Sequence, residues 1–172
     1  SSLSRKGQMA FYINVYNAWT IKLILSGYHG VKSIKDLGGF WGPWKKKIVR
    51  INGQVVTLDY IEHDLLRPKF KAPRVHFAVN CASKGCPPLV PEPDYGERLD
   101  EQLNRVTREF INDPDRGYLD GNKLYVSSIF KWFSEDFRDD VVRFYIKYAD
   151  ADLKKELKSK QSSLKVKQRP MC

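Results

Sequence analysis

From Gly7 to Ser26 the apolar residues Met9, Phe11, Ile13, Val15, Trp19, Ile21, Leu23 and Ile24 come so densely that they cover nearly every side of a helix. Such a helix is expected at the centre of a fold, buried nearly all round. Two amides interrupt it, Asn14 and Asn17, three residues apart and therefore on one face. Buried amides need partners, so this pair either ties down a loop or faces a site.

Further on, the period of the pattern changes. Residues 48–51 and 55–57 flank Asn52-Gly53, which supplies the two positive φ angles of a type I′ turn and predicts a β-hairpin. Leu58, Ile61 and Leu65 mark a short helix over 59–66 that Pro68 should end. Over 74–81, Val75, Phe77 and Val79 alternate with His76, Ala78 and Asn80, the signature of a strand. Leu99, Leu103, Val106 and Phe110 predict an amphipathic helix halted by Pro114, and Asp120-Gly121 a turn into a strand over 124–127. Ser128 and Asp139 stand where caps of two further helices would be, Asp150 opens a charged helical extension, and 164–166 closes the chain as a last strand. Helices and strands mix without a βαβ rhythm. The expected fold is therefore α+β: a single domain with a small mixed sheet and a hairpin, packed on a central buried helix and flanked by others.

Composition narrows the class. The 172 residues suit one domain, and 42% apolar residues with 13% aromatic suffice for a core. No apolar run reaches the ~18 residues of a membrane span. The chain opens Ser-Ser-Leu-Ser-Arg-Lys with no signal-peptide pattern, so a removed leader or a longer parent protein is expected. Residues 1–6 read as a disordered or fragmentary start, 7–166 as the domain and 167–172 as a basic tail. The formal charge of +10 is uneven: residues 154–172 hold seven Lys/Arg against one Glu. A surface for nucleic acid interleaves basic residues with aromatic platforms, and this stretch holds no aromatic residue. It reads as a solvated end or a weak electrostatic contact, and nucleic acid is not an expected partner.

The densest chemistry lies between His76 and Pro88. The stretches Ala10-Phe11-Tyr12-Ile13-Asn14-Val15-Tyr16-Asn17-Ala18, Ile61-Glu62-His63-Asp64-Leu65-Leu66-Arg67, Val75-His76-Phe77-Ala78-Val79-Asn80-Cys81, Gly85-Cys86-Pro87-Pro88-Leu89 and Phe130-Lys131-Trp132-Phe133 resemble, in this order, the family known as domain of unknown function 547. The resemblance runs from about Gly7 to Val166. It implies no named activity, only a hydrolase-type domain suggested by its Cys and His residues. It also implies an exported or periplasmic protein if bacterial, or a cytoplasmic one behind a coiled coil if eukaryotic. Members often end in tyrosine-aspartate-tryptophan, whereas Val166 is followed here by Lys-Gln-Arg-Pro-Met-Cys, which leaves Cys172 incidental.

A Cys–His hydrolase or acyl-transfer enzyme needs a thiolate, a base and a group that orients the base. On a continuous strand His76 and Cys81 would point to opposite faces about 16 Å apart, so they form no dyad there. Cys86 is the better partner for His76, because loop 82–85 can fold back over the strand end, and His63 on the preceding helix is the second candidate base. Asn80 or Asn14 would orient a histidine, or else hydrogen-bond buried backbone. Glu62 either joins the site or completes a capping box with Asp59, and His63 otherwise faces Arg67 one turn on. Cys81, Cys86, His63 and His76 also number the four ligands of a structural zinc site, although His63-x12-His76 is no recognised ligand pair. No other cofactor is expected. A third reading is a Cys81–Cys86 disulfide in an exported protein, or two buried thiols otherwise. Two functions follow from different classes. One is a Cys–His enzyme acting on a small molecule or peptide. The other is a non-catalytic binding module with a structural Cys81/Cys86 pair, which presents the aromatic loop 40–44 and the Trp132 region to a protein or glycan.

Overall fold

The computed structural model describes residues 3–28, 30, 34–37, 42–82, 85–138 and 140–169. Helices and short strands are interspersed, an α+β arrangement, and among the described residues the strands form two separate sheets, one of two strands and one of three. The chain divides into two compact units, Ser1–Asp100 and Glu101–Cys172.

In the first unit, helix α1 spans Arg5–Leu25. It starts two residues before the apolar pattern does, because the Ser4 hydroxyl accepts a hydrogen bond from the Gly7 N–H at 3.1 Å and caps the first turn. Met9, Ala10, Ile13, Tyr16, Asn17, Thr20 and Leu23 are buried, one face at helical spacing. Phe11, Ile21 and Leu25 are exposed, so burial is one-sided rather than all round. A helical turn at Pro43–Lys45 leads to the hairpin of β1 (Val49–Ile51) and β2 (Gln54–Val56), with Val49 opposite Val56. Asn52 and Gly53 have φ of 48° and 76°, as the turn chemistry requires. Residues 38–41, including Phe40 and Trp41 of the expected aromatic loop, lie outside the described residues.

The next helix departs from expectation in two ways. It is capped by Thr57, whose Oγ1 accepts from the Tyr60 N–H at 2.9 Å, so Asp59 and Glu62 form no capping box. It also runs through Pro68: α2 (Leu58–Tyr60) passes into a π-helical segment, Ile61–Leu66, and then into α3 (Arg67–Phe70). A proline inside an α-helix collides with the carbonyl four residues back. Here the wider π turn precedes it, and Pro68 falls in the first turn of α3, where a missing N–H costs nothing. Lys71, in the left-handed region at φ 50°, ends the helix.

The strand expected over 74–81 is a 3-10 helix, Pro73–Phe77. Pro73 presets the φ of a first helical turn, and Val75 and Ala78 donate backwards to Ala72 and Val75. The sequence pattern misled because Val75, His76 and Phe77 are all buried in succession, which no one-faced strand allows.

Helix α4 (Leu99–Asn112) begins in the last two residues of the first unit, continues into the second, and ends ahead of Pro114 as expected. A hairpin of β3 (Tyr118–Asp120) and β4 (Lys123–Val126) turns at Gly121, φ 58°. Three short α-helices follow among the described residues, α5 (Ile129–Trp132), α6 (Val141–Tyr148) and α7 (Ala151–Lys160), with a 3-10 turn at Ser134–Phe137 between the first two. Ser127 rather than Ser128 accepts from the Ile129 N–H (3.3 Å). Asp140 and Asp150 cap α6 and α7, while Asp139 lies outside the described residues. The three helices form the crossover that a parallel pairing needs, and β5 (Lys165–Gln168) returns beside β4 in parallel. Leu124, Val126, Tyr145 and Leu157 are buried, beside a cluster in which the rings of Phe130 and Phe137 stand 4.6 Å apart and those of Phe137 and Phe144 5.0 Å.

Candidate functional site

Helix α1 acts as a spine onto which loops are tied by amides. Asn17 donates from Nδ2 to the Ala78 carbonyl and accepts at Oδ1 from the Asn80 N–H, both at 2.9 Å. One turn earlier, Asn14 does the same to a single residue, bonding Asp94 O and Asp94 N at 2.8 Å each. Asn80 relays the hold onward: its Oδ1 accepts from the Ala82 N–H and its Nδ2 donates to the Pro87 carbonyl, each at 2.7 Å. Asn14 and Asn80, considered as groups to orient a histidine, thus have their amides engaged with backbone.

The segment fastened in this way begins with His76, which is 2% exposed. Its Nδ1 stands 3.9 Å from Oε1 of Glu62, with the two side chains 1% and 12% exposed. Glu62 is carried by the π-helical segment, and π turns of this kind recur at functional sites. Tyr16, fully buried on α1 next to Asn17, completes the group. Its hydroxyl lies by the Glu62 carboxylate and the Trp44 indole, without meeting either at good hydrogen-bond geometry among the described residues. Burial raises the phenol well above its ordinary pKa, and the negative charge of Glu62 adds to the shift. An imidazole, a carboxylate and a phenol are thus withdrawn from water in one unit of the chain.

Cys81 and Cys86 form a disulfide with Cα atoms 6.0 Å apart. Within the loop it closes, Ala82 is held at φ 55°, in the left-handed region that a residue with a Cβ adopts only at a cost. Cys86 is 3% exposed and Cys81 is half-buried. In this form neither sulfur is a thiolate, the species needed both by a nucleophile and by a zinc ligand. Among the described residues no group of three or more His, Cys, Asp or Glu is gathered as a cation would require.

His63, on the same π-helical segment, faces neighbours of its own helix. Its Nδ1 is 2.8 Å from an Arg67 guanidinium nitrogen and its Nε2 3.9 Å from Asp59 Oδ1, with the side chain 40% exposed. Of the residues singled out in the sequence, His76 and Glu62 are brought together and Cys81 and Cys86 are joined. Tyr16 and Trp44 were not among them. Tyr16 reads as one more core position of an apolar helix, and Trp44 was grouped with the aromatic loop. The available signal was Asn17: an amide in a buried helix marks where a loop is received, and Tyr16 is its neighbour.

Nothing matches the chain among curated proteins or among solved structures. A family does match, over residues 1–111, described as a protein of unknown function, DUF547. Those residues hold Asn14, Tyr16, Asn17, Glu62, His76 and the Cys81–Cys86 loop, whereas Phe130-Lys131-Trp132-Phe133 falls outside them. By this match over more than half its length, the chain belongs to the DUF547 family.

Proposed function

We propose that this chain is a hydrolase or acyl-transfer enzyme of the Cys–His type. His76 is its general base, Glu62 the carboxylate that orients the imidazole, and a thiol from the Cys81–Cys86 pair its nucleophile. The observation that carries this reading is the buried carboxylate–imidazole pair, 3.9 Å apart and almost without water. Buried titratable clusters of this kind gather where chemistry is done. Glu62 stands 3.9 Å from Nδ1, longer than a hydrogen bond, so the carboxylate must close on the ring to hold it as in a catalytic triad, with Nε2 then the nitrogen that exchanges a proton.

The steps follow from that arrangement. An external dithiol opens the disulfide, becomes a disulfide itself and leaves two protein thiols. One thiol passes its proton to His76 Nε2, and the thiolate attacks an acyl carbonyl. The imidazolium returns the proton to the departing alcohol, thiol or amine, leaving a thioester. Water, deprotonated by His76, then releases the carboxylic acid and restores the thiol. The working form belongs in a setting reducing enough to keep the pair open.

Trapping the acyl-enzyme tests this. The reduced protein is incubated with p-nitrophenyl acetate, and its peptides are examined by mass spectrometry. An acetyl adduct on Cys81 or Cys86 that is absent from His76→Ala supports the reading, and no adduct in the unmodified chain overturns it. One observation favours a non-catalytic binding module instead, the 55% exposure of Trp132. An unreactive reduced protein would leave the disulfide the structural role which that alternative requires.

A further inference from the structure

The second unit carries a surface that the acid–base group does not use. In the three-stranded sheet, Leu124 and Val126 of β4 are fully buried, so Lys123 and Tyr125 point the other way. The register places Tyr118 and Asp120 of β3 on this outer face on one side, and Lys165 and Lys167 of β5 on the other. Tyr118, Tyr125 and Lys167 therefore form one row across the strands, and Asp120, Lys123 and Lys165 the next. The rings of Tyr118 and Tyr125 stack at 4.8 Å with 17° between their planes, and Tyr118 is 39% exposed. Lys123, Lys165 and Lys167 are exposed and make no ion pair among the described residues. Arg169 and Lys160, by contrast, are engaged with Asp115 (3.5 Å) and Glu156 (2.6 Å).

The basic end of the chain, which contains no aromatic residue of its own, thus acquires them through the parallel pairing of β5 with β4. We propose that this face binds single-stranded nucleic acid, with a base stacked on the Tyr118–Tyr125 pair and phosphates held by Lys123, Lys165 and Lys167. The favoured anion is the one that also brings flat π faces, because stacked tyrosines flanked by lysines match bases joined by phosphates. A duplex hides those faces, and an acidic peptide does not have them. Asp120 repels phosphate at the turn end of its row and directs the strand toward Lys165 and Lys167.

Fluorescence anisotropy of the full chain with a labelled oligothymidylate of about twelve nucleotides tests the proposal. At about 50 mM salt the expected Kd is on the order of 10 µM, weakening with a log–log salt slope of about −2 for three lysines. Tyr118→Ala should weaken binding about tenfold, while Tyr118→Phe keeps the stack and the affinity. Lys165→Gln with Lys167→Gln, on the exposed β5, should weaken binding and flatten the salt slope, and they keep the test decisive should Tyr118→Ala fail to fold. Absence of binding at low salt overturns the proposal. So does equal binding of a matched duplex, or of an oligoglutamate indifferent to Tyr118, either of which would make the face a general polyanion contact.

Discussion

Replacing Asn17 by alanine removes two hydrogen bonds at once and leaves both partners behind. Nδ2 holds the Ala78 carbonyl and Oδ1 holds the Asn80 N–H, each at 2.9 Å, from a side chain only 9% exposed. Each bond contributes a net ~0.5–1.5 kcal/mol, and a buried group left without its partner costs a further ~1–3 kcal/mol. Ala78 and Asn80 are half-buried, so water recovers part of that penalty, and the expected loss for Asn17→Ala is about 2–3 kcal/mol. Asn17→Asp sharpens the test. It keeps an acceptor for Asn80 but turns a carboxylate oxygen toward the Ala78 carbonyl, so at neutral pH it should be at least as damaging as alanine. Protonation restores a donor, so its deficit relative to the parent chain should shrink in acid. Urea unfolding followed by tryptophan fluorescence measures the loss, and the rate at which a dithiol opens Cys81–Cys86 measures the freed loop, which should be reduced faster. A loss below ~0.5 kcal/mol with an unchanged reduction rate would refute the tie between α1 and this loop.

Three further outcomes are expected. A Cβ at residue 96 would stand 2.8 Å from the Gly7 Cα and 2.9 Å from its nitrogen, backbone atoms that cannot yield; Gly96→Ala should cost about 1–3 kcal/mol in urea melts. Tyr16 and Tyr145 are both raised by burial from the ordinary 10.0, so the stability they lend is complete below pH 10 and declines as pH rises toward their folded values. Each contributes up to ~1.4 kcal/mol per pH unit there, and of the nine tyrosines these two should ionise at 295 nm only as the chain unfolds. Asp100 is held below its ordinary 3.8 by hydrogen bonds from Lys6 and then Arg74, so its contribution is present above 3.8 and fades as pH falls through the lower folded value. With its side chain 52% exposed, that contribution stays below ~1 kcal/mol; carboxyl NMR should show Lys6→Met moving the titration back toward 3.8.

Much of the fold is legible wherever one local rule acts alone. The Asn52-Gly53 turn, α1, α4 and the existence of a last strand follow from turn chemistry and periodicity. The failures come where two signals compete. Val75, Phe77 and Val79 alternate as a strand would, but Pro73 and three successive buried side chains select a 3-10 helix. Pro68 reads as a stop, yet a π turn absorbs it, and that same turn carries Glu62 toward His76. The Glu62–His76 pair was hidden because their contact depends on both of these departures. Tyr118 and Tyr125 become a platform for Lys167 only through a pairing that spans some forty residues, which no local pattern reports.

The central claim is that Glu62 and His76 activate a thiol, and the pH profile of iodoacetamide labelling in the reduced protein tests it most directly, with Glu62→Gln and His76→Ala run beside the unmodified chain. The account predicts that Cys81 or Cys86 labels faster than a free thiol at neutral pH, with a reactive plateau reached well below the ordinary thiol value of about 8.5. Glu62→Gln should lower that plateau and His76→Ala abolish it. Profiles that rise together near the free-thiol value in all three proteins would contradict it.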